Sequence, residues 1–195
     1  MSEFNIWEGE QVRLRALEPG DAERFHKFDQ DTESARNGAR IELPRSLEGT
    51  KQWLEETSRR NGQDDSFYFV IETLERGELV GSINTFNCNR RSGTFSYGIG
   101  VGREYSGHGY AKEAIRLVLR FFFCELNYQK VNVGVYSFND RSLQMHLAVG
   151  FQQEGRLRRM VYSDGQHYDV FMLGMTREEF DQQVFPELRQ LTHSA

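Results

Sequence analysis

Five glycines fall within the fifteen residues Tyr97-Gly98-Ile99-Gly100-Val101-Gly102-Arg103-Glu104-Tyr105-Ser106-Gly107-His108-Gly109-Tyr110-Ala111. Glycine lets the backbone take conformations that turn successive N–H groups outward, and a helix opening at the end of this stretch adds the positive end of its dipole. The combination makes an anion site, and a diphosphate of about two negative charges is its natural occupant. Gly107 and Gly109 would let phosphate oxygens approach the main chain, and the small Ala111 would let the first helical turn come close. The same pattern would also serve as a sharp strand-to-helix turn that binds nothing. Two familiar phosphate motifs are set aside. The loop lacks the Gly-Lys-Ser/Thr of a P-loop, and its glycines do not follow the first strand of a parallel βαβ unit.

The elements that must hold this loop can be read from hydrophobic period. Val12 to Leu17 alternates apolar and polar residues, as an amphipathic strand does. Pro19 starts a helix with Asp21 and Glu23 in its first turn, and Ala22, Phe25 and Phe28 on one face. Residues 31–45 read as polar and irregular. Ser46 is a helix cap, with Leu47, Trp53 and Leu54 as apolar contacts and Asn61-Gly62 as the end. Phe67 to Ile71, Leu79 to Phe86 and Thr94 to Val101 form a three-stranded meander. Ala111 to Glu125 is a helix whose polar stripe is limited to Lys112, Glu113, Arg116 and Arg120, so it is expected to be largely buried. Then come a strand over Lys130 to Tyr136 and a short helix from Asp140 to Val149. Two strands flank a Ser163-Asp164-Gly165 turn, and a closing helix runs from Thr176 to Gln190 with Thr176 as its cap. This order predicts a mixed α/β (α+β) fold with a mainly antiparallel central sheet flanked by helices. The expected boundaries are an N-terminal tail over 1–10, one domain over 11–175, and a closing helix and tail over 176–195.

Composition narrows the function. The chain has 195 residues, 38% of them hydrophobic, enough for one well-buried core. A net charge of −5 with both signs interspersed disfavours a nucleic-acid partner. The two cysteines, Cys88 and Cys124, have no metal-type spacing and form no disulfide framework, which fits a reducing cytoplasm. No metal is expected. Met1 to Glu10 does not read as a signal peptide, and no apolar run reaches the roughly 20 residues of a membrane span.

Ser106 to Ala111, followed by Lys112-Glu113-Ala114, resembles the acyl-CoA loop of the GNAT N-acetyltransferase superfamily, whose pattern is Gln/Arg-x-x-Gly-x-Gly/Ala. Gly109 and Ala111 match it; Ser106 stands where Gln or Arg is usual, which removes one phosphate donor. Downstream, Asn139-x-x-Ser142 followed by Gly150-Phe151 resembles the family's Asn-x-x-Ala/Ser and Gly-Phe pair. Glu154-Gly155-Arg156-Leu157 with Asp164-Gly165 and Asp169 resembles the ribosomal-protein alanine N-acetyltransferase branch and its spermidine-acetylating relatives, as does Val12-Arg13-Leu14-Arg15. The resemblance spans roughly residues 11–175.

That resemblance implies a GNAT-type acyl-CoA N-acyltransferase fold, acetyl-CoA as acyl donor, and direct attack of a primary amine on the thioester. It places Asn139 and Ser142 against pantetheine or phosphate, although Asn139 also suits an ordinary helix cap. His108 is expected in solvent beside the phosphates, and Tyr110 with its ring on the cofactor's edge. A backbone N–H near Ile99 or Val101 is the expected donor to the thioester carbonyl. His146 occupies the position of a tyrosine that protonates the CoA sulfur in many relatives, and an imidazole titrates near neutrality. Asn84, Asn87, Ser96 and Tyr97 are expected to face the acceptor, with Ser96 and Tyr97 counted with His146 as catalytic candidates. Glu72 is a further candidate base, and Cys88 a weak candidate nucleophile. The acceptor is a protein N-terminal α-amine or a small amine such as a polyamine or aminoglycoside; a CoA-binding regulator without turnover is the alternative class. The closing helix and edge strands could support a homodimer.

Overall fold

Val12 and Leu14 alternate with Arg13 and Arg15, and this period of two buries the first pair in the outermost strand, β1 (Val12–Arg15). The computed structural model describes residues 5–38 and 41–184. From β1 the chain builds a seven-stranded sheet with β2 (Tyr68–Thr73), β3 (Leu79–Asn89), β4 (Thr94–Val101), β5 (Lys130–Tyr136), β6 (Gln152–Ser163) and β7 (Gln166–Thr176), in the order β1-β2-β3-β4-β5-β7-β6. Only the β4–β5 pair is parallel, so the expected mixed, mainly antiparallel sheet is the observed one. Asp164 and Gly165 both take positive φ in the two-residue β6–β7 turn, as the Asp-Gly pair requires.

Helices cover both faces. The chain contributes α1 (Ala22–Asp29), α2 (Thr32–Asn37), α3 (Leu47–Arg60), α4 (Tyr110–Arg120), α5 (Asp140–Val149) and α6 (Arg177–Gln183). Alternation along β2 sends Phe69 and Ile71 to one face and Val70 to the other. On the larger side, Ile115, Leu117, Val118 and Leu119 of α4 pack with Phe95, Phe122, Val131 and Val149. Each such fully buried side chain contributes about 1.5–3 kcal/mol over exposure. On the other face Phe25 of α1 and Leu54 of α3 cover Val70 and Leu79.

Several local readings change. Residues 31–45 contain α2, capped by the Asp31 side chain accepting from the Ser34 amide; the helix has no buried residue, so no apolar period announces it. The helix from 110 keeps α geometry only to Arg120, and Phe121–Glu125 forms a π turn. Of the closing helix, Arg177–Gln183 is present and the part beyond 184 lies outside the described residues. Trp7, within the expected tail, packs against Phe69 and Phe121, and the Glu113 carboxylate accepts from the amides of Glu10, Gln11 and Val12. Among the described residues no helix is long and apolar enough to cross a membrane.

Candidate active site

The central feature is a split in the sheet. β4 and β5 are paired only over Thr94–Ser96 and Lys130–Asn132. Beyond Ser96 each strand keeps its outer neighbour and the inner edges diverge. The register shows what that split exposes. Gly102 donates to the Val80 carbonyl, and antiparallel bonding alternates, so Gly98 and Gly100 spend their amides on β3. The amide of Tyr97 closes the last pairing with β5, and those of Ile99 and Val101 therefore point into the opening, on the strand where the carbonyl donor is expected. Around the opening is a cleft of about 1450 Å³.

At the top of β4 the glycine loop folds as its residue types dictate. Gly107 and Gly109 take φ of 93° and 89°, conformations that favour glycine. Gly109 is the N-cap of α4 and offers no capping side chain. The amides of Gly107, His108 and Gly109 have no hydrogen bond among the described residues, and the first turn of a helix leaves its own amides unpaired. These groups fit the diphosphate of a coenzyme A. His108 is exposed, with Nδ1 3.1 Å from the Tyr105 carbonyl, and its ring stacks on Tyr110 at 5.3 Å. Tyr110 and Ala111 line the cleft with Ser106. A cation stands beside this loop from a distant part of the chain. Arg141, in the first turn of α5, brings Nη2 to 3.7 Å from where a Cβ on Gly107 would stand. A short-range sequence motif cannot find this residue, because its approach to the loop depends on the packing of α5 beside α4.

Asn139 caps α5, its Oδ1 accepting from the Ser142 amide at 3.1 Å, while Nδ2 donates to the Asn37 carbonyl of α2 at 3.4 Å. One turn on, His146 is 3% exposed. Its Nδ1 lies 2.7 Å from the Ser142 carbonyl, which can only accept, so Nδ1 carries the proton and Nε2 is bare in the neutral ring. Burial lowers the pKa below the ordinary histidine value, against the smaller opposing effect of that hydrogen bond, so the ring is neutral at pH 7. Tyr97 stacks on it, and burial pushes the phenol well above its ordinary value.

Ser96 and Tyr97 line the cleft from opposite faces, because successive strand residues alternate. Ser96 faces the α1–α3 side and Tyr97 turns to the α5 side, so the two do not share a face. Asn87 also lines the cleft, whereas Asn84 packs its Oδ1 beside Gly98. Glu72 lies away from the cleft, bound by Arg13 and Arg15. Burial alone would raise its carboxyl, but the two guanidiniums outweigh that and hold it below the usual range. The Cys88 thiol donates to the Asp65 carbonyl, and burial pushes it up to about 11.

Comparison with known proteins agrees with this geometry. The profile of the Acetyltransferase (GNAT) domain matches residues 11–152. The SPbeta prophage-derived N-acetyltransferase YokL of Bacillus subtilis is 44% identical over 90% of this chain and 95% of its own length. YdaF of the same organism, named for a ribosomal N-acetyltransferase, is 25% identical over 91% and 98%. A structure of the Vibrio cholerae spermidine N-acetyltransferase with CoA and spermine superposes with a TM-score of 0.76 at 23% identity, covering 88% of this chain and 99% of that one, which establishes the shared fold. The chain belongs to the GNAT acetyltransferase family, and is an N-acetyltransferase whose acyl donor is acetyl-CoA.

Proposed function

We propose that the acceptor is the N-terminal α-amine of a protein chain. The observation that carries this reading is the apolar rim of the cleft: Ile41, Leu43, Leu157 and Met160 line it with exposures from 42% to 88%. An extended peptide can cover such a rim with its first side chains. A polyamine would need several free carboxylates instead; Asp29 lines the cleft without a hydrogen bond among the described residues, but the other acids around the mouth are largely committed. Asp31 and Glu33 bind Arg103 at 2.7 and 2.6 Å, and Asp164 binds Arg36 at 2.8 Å.

Bound acetyl-CoA supplies the activated acetyl group. The amides of Ile99 and Val101 polarise its carbonyl from the split edge of β4, and those of Gly107 to Ala111, with Arg141, hold its diphosphate. Ser142 and Asn139 set the start of α5 beside the same groove. Ser96 orients the amine from the opposite side. His146 enters the reaction neutral, so it protonates the departing sulfur with a proton first accepted at Nε2 from the amine nitrogen. Tyr97, which holds its own proton firmly, contributes a hydrogen bond to the same sulfur.

A mass-detected screen tests the acceptor: peptides with free N-termini, the same peptides N-terminally blocked, spermidine and an aminoglycoside. Acetylation of free peptides alone is expected. Turnover of spermidine with all peptides inert would overturn the reading.

A further inference from the structure

We infer that Ser82, Tyr68 and Asp29 form the exit path for the proton that the acceptor ammonium must lose before it attacks, an inference that rests on reading this cleft as the amine site. On the α1–α3 face of the sheet Ser82 of β3 lies opposite Gly100 of β4. A Cβ on Gly100 would meet nothing within 4 Å. Open space therefore adjoins the Ser82 hydroxyl, next to the outward amides of Ile99 and Val101. The Ser82 Oγ is 3.0 Å from the Tyr68 hydroxyl. Phe25 and Trp53 hold the Tyr68 ring edge-on, at 6.3 and 5.5 Å between centroids. Asp29 follows Phe25 by one helical turn and so shares its face of α1. All three residues of the path line the cleft, and the Asp29 carboxylate has no hydrogen bond among the described residues.

The surrounding charges suit a proton acceptor. The cleft walls partly desolvate the Asp29 carboxyl and push it above its ordinary value; Arg45 and His26 oppose this and Glu42 adds to it. Burial pushes the Tyr68 phenol up as well, with Ser82 and Arg45 opposing and the Asp29 charge adding. Tyr68 therefore passes a proton by exchanging one O–H for another, without becoming a phenolate. The ammonium gives a proton to Ser82 as Ser82 gives its own to Tyr68, and Tyr68 releases one through solvent to Asp29. The free lone pair then forms the C–N bond as the C–S bond breaks. The second amine proton leaves by His146 to the sulfur, and the Asp29 proton returns to bulk water. Overall, ammonium and thioester give amide, thiol and one released proton.

The test is the pH profile of Asp29→Asn, Tyr68→Phe and Ser82→Ala on a free peptide acceptor, with acetyl-CoA affinity measured by calorimetry. Near pH 7, Asp29→Asn is expected to lower kcat/KM for the amine about a hundredfold. The deficit should shrink as pH passes about 8, where an α-amine is neutral unaided. Acetyl-CoA affinity should stay within about twofold of wild type. A deficit constant with pH, or no deficit, overturns the path while leaving the acceptor assignment standing. If wild type acetylates spermidine and no peptide, the acceptor assignment fails, and the same comparison on spermidine, with its window moved to about pH 10, still decides the path.

Discussion

The Tyr97 and His146 rings lie 20° from parallel with 5.9 Å between their centroids, and Phe151 closes on His146 edge-on at 5.3 Å. Phe151 follows the helix-ending Gly150 and Tyr97 sits at the split edge of β4, so the stack joins α5 to the strand that carries the outward amides. Both rings are buried, and the Tyr97 hydroxyl has no hydrogen-bond partner among the described residues. An unsatisfied buried hydroxyl costs about 1–3 kcal/mol, which makes it a cost to the fold retained beside a reaction site. Tyr97→Phe should therefore raise the urea midpoint while lowering kcat about tenfold or more, with acetyl-CoA affinity unchanged. A destabilised variant of full activity would reverse the assignment.

The depressed pKa of His146 has a consequence for stability. Between the folded-state pKa and the unfolded value of about 6.5, the unfolded chain binds more protons than the folded one. Stability therefore rises with pH across that window, is complete above about 6.5, and is lost as pH falls below it. Replacing His146 by Phe should flatten this limb in urea titrations carried downward from about pH 6.5. An unchanged slope would show that other groups cause it.

Arg141 and Gly109 test the cofactor loop in separable ways. Arg141→Ala removes a charge without touching the backbone, so acetyl-CoA should bind about tenfold more weakly with an unchanged melting point. Gly109→Ala forces a side chain into φ of 89° and should lose about 1 kcal/mol of stability as well as affinity. Gly109→Glu adds a negative charge and should abolish binding in a calorimeter. Retained micromolar affinity in that last variant would displace the diphosphate from this loop.

Much of this site is legible in the sequence because its parts are local. Gly107 and Gly109 announce positive φ by residue type, Asn139 and Ser142 announce a cap by spacing, and alternation places Val12, Leu14 and Phe95 in the core. What is not legible is long-range. Nothing near Gly107 indicates that Arg141 will meet it, and nothing near Ser82 indicates Tyr68. Ser96 and Tyr97 show the limit from the other side: they are adjacent in sequence, and the pleat sends them to opposite faces. The short α2 escaped because a helix that buries nothing has no period to read.

Cys88 supplies a check on direct transfer. With its thiol pushed up to about 11, only about one molecule in a thousand is thiolate at pH 8. Alkylation of native enzyme by iodoacetamide at pH 8 should be far slower at Cys88 than after unfolding. Cys88→Ser should keep kcat within about twofold, and no acetyl-cysteine should accumulate in rapid-quench mass spectra. Trapped acetyl on Cys88 would replace direct attack by a two-step route.

The last prediction concerns how α2 is held across the cleft. Three contacts from three elements fix it: Arg103, just before the glycine loop, binds Asp31 and Glu33; Asp164 of the β6–β7 turn binds Arg36; and Asn139 of α5 reaches the Asn37 carbonyl. The Asp31 carboxyl is held down to about 2, first by the Ser34 hydroxyl and amide and then by Arg103, so its charge persists through any working pH. The contacts are largely exposed, and exposed pairs weaken within a Debye length that falls to about 3 Å at 1 M salt. Since α2 buries no side chain, little else opposes its opening. Amide hydrogen exchange in residues 32–37 should therefore accelerate with added NaCl, and Arg103→Ala should reproduce most of that acceleration at low salt. Exchange in α4, whose hold is apolar, should be insensitive to both. Equal acceleration in α4 and α2 would mean that the whole fold loosens, and that α2 is not separately latched.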